Sequence, residues 1–100
     1  MPRQPRLLLA KSYYHIMTRG NNKNVVFRDQ SDFCYYLKRF KQFKKELQFD
    51  LFHYCLMPTH VHQLIRTNKA EDYSLFMKKI NLAYFHYYRK KYGWTGHLWQ

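Results

Sequence analysis

The sequence predicts an α+β fold of the ferredoxin-like or split βαβ type, in which two helices cover one face of an antiparallel sheet. Three segments show the alternation or the short apolar runs that are typical of strands. Two longer segments carry apolar residues at intervals of three and four residues, which is typical of helices. Their order is strand, helix, strand, strand, helix and the start of a last strand. A chain of 100 residues with 46% hydrophobic residues is expected to form one domain.

The first strand follows a basic, proline-containing tail at residues 1–11. In the segment 12–18, SYYHIMT, Tyr13, His15 and Met17 share one face, and aromatic and β-branched residues are enriched. A polar loop at residues 19–24 comes next, rich in residues that suit turns. Its charged members, Arg19 and Lys23, together with Asn21, are candidate nucleic-acid contacts, although an ordinary solvated loop fits this stretch equally well.

Both helices are predicted from an apolar stripe. Asp29 or Ser31 can cap the first helix, and the second helix begins near Asp72 and ends at Gly93. The first stripe comprises Phe33, Tyr36, Leu37, Phe40, Phe43 and Leu47, and the second comprises Tyr73, Phe76, Met77, Ile80, Ala83, Tyr84 and Tyr87.

A histidine pair lies at the centre of the sequence. A strand at residues 49–56 is followed by the corner Met57-Pro58-Thr59, and then by a strand at residues 59–66. Alternation places His60 and His62 on the same side of this strand, about 6 to 7 Å apart, close enough to share a divalent cation. Two ligands do not complete a site, and two ordinary surface histidines are the alternative. His15, on a neighbouring strand, is a further ligand, a partner of the pair or, by preference, a packing residue.

The charge of the chain favours nucleic acid as the partner. Eighteen Lys and Arg residues against six Asp and Glu residues give a formal charge of +12, and phosphate backbones are the commonest polyanionic neighbours of such domains. A membrane surface is disfavoured because no free amphipathic helix is present. The two cysteines, Cys34 and Cys55, form no C-x-x-C pair, and no signal or transmembrane segment is visible. We therefore expect reduced core cysteines in a cytoplasmic protein.

Three segments resemble the single-tyrosine HUH transposases, in particular the REP-associated tyrosine transposase branch. They are 14–21, YHIMTRGN; 56–62, LMPTHVH, similar to the family signature L-M-P-N-H-V-H; and 92–100, YGWTGHLWQ. The resemblance runs from about Tyr13 to Gln100, with its elements in the family's order. The combination is specific, whereas H-x-H alone is a weak signal.

The resemblance implies DNA transposition, with metal-dependent cleavage and rejoining of single-stranded, hairpin-containing DNA through a 5′-phosphotyrosine. His60 and His62 would be catalytic residues that hold Mg²⁺ or Mn²⁺, which polarises the scissile phosphate. Trp94 and His97 could stack on bases. An open sheet edge further suggests a possible homodimer.

The sequence departs from the family pattern in two places. Thr59 replaces the usual asparagine before the first histidine. In the family, the nucleophilic tyrosine lies on a helix after the G-H-x-W-Q segment, so we expect it beyond residue 100, with the last strand and the following helix incomplete or absent. Tyr84, Tyr87 and Tyr88 are weaker candidates, since helical spacing favours the core for the first two. The competing hypotheses are a non-catalytic nucleic-acid-binding remnant and a structural metal site, the second of which leaves the charge of +12 unexplained.

Overall fold

The computed structural model describes residues 12–47, 49–67 and 69–100, and it confirms the predicted α+β fold. Its elements are β1 (Ser12–Arg19), a 3₁₀ turn (Asn21–Lys23), α1 (Gln30–Lys44), β2 (Asp50–Met57), β3 (His60–Thr67) and α2 (Ala70–Tyr92). The strand bounds differ from the predicted ones by about one residue, as is usual at element ends. The predicted basic tail at residues 1–11 lies outside the described residues.

The described sheet has the order β1-β3-β2, and both pairings are antiparallel. The tight turn at Pro58 and Thr59 joins β2 to β3, as predicted. The register shifts between Leu51 and His53 of β2. Strand β3, which carries the histidine pair, is therefore central and held on both sides.

The predicted last strand contributes one β-bridge, in which Trp99 pairs antiparallel with Gly20 at the end of β1. Two backbone hydrogen bonds flank the bridge: the Gln100 N–H donates to the Arg19 carbonyl at 2.9 Å, and the Asn21 N–H donates to the Leu98 carbonyl at 2.7 Å. The C-terminal segment thus lies alongside the end of β1.

The core lies between one face of the sheet and the two helices. Along β3, burial alternates strictly, so that Val61, Gln63, Ile65 and Thr67 are buried and the residues between them are half-buried. The buried face of the helices comprises Tyr36 and Phe40 of α1 and Tyr73, Phe76, Ile80, Tyr84 and Tyr88 of α2. Gln63 is tolerated there because the Tyr73 hydroxyl donates to its Oε1 at 3.4 Å. Both helices therefore cover one face, and none of the described helices covers the other, open face.

Local signals explain where the helices begin and end. The Asp29 side chain caps α1 in a capping box with Asp32. Gly93 ends α2 in the left-handed conformation, with φ of 65°. Asp32 is fully buried, which nothing in the apolar stripe indicated. Its carboxylate accepts hydrogen bonds from Lys91 Nζ, the Tyr87 and Tyr92 hydroxyls and the backbone N–H groups of Arg28 and Asp29.

The predictions for the two cysteines and for His15 are wrong. Cys34 is exposed and Cys55 half-buried, so neither cysteine is a core residue; both are free thiols. In the loop at residues 19–24, Asn22 and Lys23 have positive φ, whereas Gly20 has φ of −66°. Glycine is required at position 20 because a Cβ there would lie 2.6 Å from the Asn24 carbonyl oxygen. His15 is exposed and does not pack in the core.

Candidate metal centre and adjoining cleft

Strand β3 presents His60 and His62 together on the open face of the sheet. Their ring centroids are 4.7 Å apart and their planes are nearly perpendicular, at 83°. This face is fixed because the intervening Val61 is fully buried on the opposite side. The predicted side-by-side placement of the two imidazoles is therefore present in the fold.

Each of these imidazoles uses its Nδ1 atom for a contact within the protein. His60 Nδ1 lies 2.9 Å from the Thr59 hydroxyl, and His62 Nδ1 lies 3.3 Å from His15 Nε2. The rings of His15 and His62 are nearly parallel, at 8°. Neither Nε2 of the pair has a hydrogen-bond partner among the described residues. Both Nε2 atoms are thus free of contacts with these residues and can meet an external group, as metal ligands when the ring proton is on Nδ1.

The electrostatic surroundings keep His62 in the form that binds metals. Partial burial, followed by the nearby His60, His15, Arg19 and His53, lowers the pKa of His62 below its ordinary value of 6.5. The ring is therefore neutral at physiological pH, as a metal ligand must be.

The donor set fits part of a divalent metal site. Two adjacent neutral imidazoles supply two nitrogen ligands. Within the described ranges no group of three His, Cys, Asp or Glu side chains is arranged to hold a metal. An ion bound at His60 and His62 would therefore complete its coordination with oxygen atoms from water, a phosphate or another protein group.

A cleft of about 460 Å³ adjoins His60. It is lined by three of the five predicted nucleic-acid contacts, namely Arg19, Asn21 and Lys23. The other lining residues are Met17, Gly20, Asn22, Thr59, His60 and Gln100. Cationic and amide side chains thus stand beside the histidine pair, which is a suitable lining for a phosphate.

Backbone hydrogen bonds join the cleft loop to the histidine turn. The Gly20 N–H donates to the Thr59 carbonyl at 2.9 Å, and the Val26 and Phe27 N–H groups donate to the Pro58 carbonyl at 2.7 and 3.2 Å. The loop that carries the cations is therefore held in place relative to the turn that precedes His60.

Two predicted contacts lie apart from this cleft. The Trp94 ring meets the Tyr88 ring edge-on at 5.6 Å, and its Nε1 donates to the His97 carbonyl at 3.3 Å. The exposed His97 lines a separate groove with Leu82 and Phe85. The structure therefore does not bring Trp94 and His97 to the histidine pair.

The tyrosines of α2 are structural. Tyr84 and Tyr88 are fully buried, and their hydroxyls donate to the backbone carbonyls of Val26 and Val25. The Tyr87 ring stacks on Tyr35 at 4.0 Å, and its hydroxyl donates to Asp32. These interactions favour packing over nucleophilic attack for all three.

The family model described as IS200-like transposase matches residues 9–100. The chain belongs to the IS200-like transposase family. The match covers β1, the cleft loop, the histidine strand and the C-terminal segment, so the protein is a transposase and its partner is DNA. The search of curated proteins gave no match. No helix in the described part of the chain is both long and apolar enough to cross a membrane.

The sequence left two contributors to this transposase site unassigned. Gln100 lines the cleft because the C-terminal segment pairs with the end of β1, a long-range contact without a local signal. Thr59 was noted only as a replacement of the family asparagine, yet its hydroxyl contacts His60. Its position directly before the histidine was the available clue.

Proposed function

We propose that this transposase binds hairpin-containing single-stranded DNA in the cleft and cleaves and rejoins one strand through a 5′-phosphotyrosine, with Mg²⁺ or Mn²⁺ held by His60 and His62. The observation that carries the proposal is a pair of Nε2 atoms, without hydrogen-bond partners in the described ranges, beside a cleft lined by Arg19 and Lys23. Chemistry that transfers a phosphoryl group needs positioned cations, and this arrangement supplies them.

The residues of the chain have separate roles in this proposal. Arg19 and Lys23 attract the strand and neutralise its phosphates, while the amide side chain of Asn21 can donate hydrogen bonds to phosphate or sugar oxygens. His60 and His62 supply the nitrogen ligands. A divalent ion held by these two residues would supply Lewis-acid chemistry at the scissile phosphate. The attacking hydroxyl comes from a tyrosine other than the packed ones of α2.

The self-association of the protein is a separate part of the proposal. In the described sheet, β2 pairs with β3 on one side only, and it exposes the apolar residues Phe52 and Met57. Unpaired strand edges favour pairing with another chain. We expect a homodimer, to be measured by sedimentation equilibrium, and a monomer at all concentrations would contradict it.

The test of the proposed chemistry is cleavage of hairpin-bearing single-stranded DNA, labelled at either end, in Mn²⁺. Denaturing gels with and without protease reveal a covalent adduct, and mass spectrometry of the adduct identifies the tyrosine. The His60→Ala, His62→Ala double variant should lose cleavage but keep most of its salt-sensitive DNA binding. His86→Ala serves as the control, because His86 is an exposed histidine on α2.

Binding without cleavage in the presence of Mn²⁺ or Mg²⁺ would mean that no tyrosine within residues 1–100 attacks the phosphate, and it would support a non-catalytic DNA-binding module. Metal-independent cleavage that survives the double variant would contradict the role of the histidines.

A further inference from the structure

We propose that His15 is a positioning residue that fixes the ring orientation and the tautomer of His62, so that His62 Nε2 is the atom offered to the metal. This inference rests on the proposed metal-binding role of His62. It assigns a role to the exposed histidine of β1, which belongs neither to the H-x-H pair nor to the cleft lining.

The geometry of the contact carries the inference. His15 Nε2 lies 3.3 Å from His62 Nδ1, and the two rings are nearly parallel, at 8°. A neutral imidazole has one N–H donor and one acceptor nitrogen. When His62 Nδ1 carries the proton and donates it to His15 Nε2, the lone pair of His62 lies on Nε2, which has no hydrogen-bond partner among the described residues. His15 in turn holds its own proton on Nδ1.

The sheet register makes this contact possible. In the pairing of β1 with β3, Met17 lies opposite His62 and His15 lies opposite Leu64. His15 is therefore a diagonal neighbour of His62 on the same face, a separation that a long ring can span. Partners of this kind, which bind the second nitrogen of a metal-ligating histidine, set its tautomer and increase its affinity for the metal.

The first histidine of the pair has a parallel arrangement. The Thr59 hydroxyl lies 2.9 Å from His60 Nδ1 and can accept the proton of that nitrogen. Both histidines are therefore held by Nδ1 and both leave Nε2 open. Two independent contacts with the same consequence argue that the orientation of the pair is built into the fold.

Direct measurement of the tautomer tests the inference without metal or DNA. In ¹⁵N-labelled, metal-free protein at pH 8, long-range ¹H–¹⁵N spectra of the imidazoles distinguish Nδ1–H from Nε2–H. We expect the Nδ1–H form of His62 in the wild type and in His15→Gln, because the glutamine carbonyl can accept the same proton. In His15→Leu, which has no acceptor, we expect a mixture of tautomers. An unchanged His62 tautomer in His15→Leu would overturn the inference.

Mn²⁺ binding, followed by electron paramagnetic resonance, gives the second readout. We expect about tenfold weaker binding in His15→Leu, the lower end of the usual effect of such partners, and recovery in His15→Gln. His53→Leu is the matched control, since His53 lies near His62 on the neighbouring strand but makes no hydrogen bond to it. Equal losses in His15→Leu and His53→Leu would overturn the inference.

The two proposals fail in different ways. Absence of Mn²⁺ binding in the wild type, with a tautomer that still depends on His15, would refute the metal role of the pair and leave the positioning contact standing. Normal Mn²⁺ binding in both the wild type and His15→Leu would refute the positioning role alone.

Discussion

Replacement of Asp32 by asparagine should strongly destabilise the protein at neutral pH. Asp32 is fully buried near the start of α1, and its carboxylate receives hydrogen bonds from Lys91, Tyr87 and Tyr92 of α2. It therefore joins the two helices. The asparagine side chain would keep one acceptor oxygen but would direct an NH₂ group at donors, which leaves buried polar groups without partners.

The magnitude follows from the pKa of Asp32. Burial alone would raise this pKa, but the hydrogen bonds from Lys91, Tyr92 and Tyr87 outweigh it and lower the pKa from 3.8 to about 2. This lowered pKa corresponds to a preference of about 2 kcal/mol for the charged form in the folded state. With the unpaired groups that the amide creates, we expect Asp32→Asn to lose about 2 to 4 kcal/mol of unfolding free energy at pH 7.

Urea denaturation of the wild type and the variant between pH 7 and pH 2 provides the assay. The folded-state pKa of Asp32 is depressed, so its contribution is complete above the unfolded-state value and is lost as the pH falls toward about 2. The difference between the two proteins should therefore shrink across this range. Asp50→Asn is the control, since Asp50 forms a surface ion pair with Arg66, worth about 0 to 1 kcal/mol. A loss at pH 7 below about 1 kcal/mol, or a difference independent of pH, would refute the reasoning.

Three further predictions concern the core, the cleft and the DNA. The buried Tyr36 hydroxyl has no partner among the described residues, so Tyr36→Phe should raise the unfolding free energy by about 1 kcal/mol. Tyr84→Phe removes a hydrogen bond to Val26 and should lower the unfolding free energy by about as much. Changes of the same sign in the melting temperatures of the two variants would contradict this. Gly20→Ala places a Cβ 2.6 Å from the Asn24 carbonyl oxygen and 2.8 Å from Val26 Cγ1. Because the cleft loop then has to move, this variant should lose about 1 to 3 kcal/mol of unfolding free energy in urea denaturation and should bind DNA more weakly. An unchanged unfolding free energy would argue against the close approach. The Arg19→Gln, Lys23→Gln double variant should reduce the slope of log K against log salt by about 1.4 for single-stranded DNA, as fluorescence anisotropy can measure; an unchanged slope would remove both residues from the phosphate contacts.

Much of the fold was predictable because its signals are local. The alternation in β1, the helical stripes, the cap at the start of α1 and Gly93 depend on neighbours within one turn or one strand. The strand bounds and the end of α2 were placed within about a residue. The helices were placed less closely, since α2 begins two residues before Asp72 and the first stripe extends to Leu47, three residues past the end of α1. The joint orientation of His60 and His62 is also a local feature, since it follows from the period of a strand.

The remaining features depend on contacts between distant parts of the chain. Asp32 reads as a helix N-terminal acid, and only the approach of α2 makes it a buried acceptor. For His15 the sequence left open a ligand, a partner of the pair or, by preference, a packing residue, and only the sheet register brings it to His62. Cys34 was predicted to be a core residue, as free cysteines commonly are, but it lies outside the apolar stripe of α1 and is exposed.

The alternating burial of β3 ties correct folding to chemical competence. Sliding this strand by one residue against its neighbours would turn Val61 and Ile65 toward the solvent and would bury His60 and His62 under the helices. Such a chain would lose its core and its imidazole pair together. A strand slipped by one residue therefore cannot give a folded protein whose histidines face inward. Every molecule that folds also presents the histidine pair on the open face.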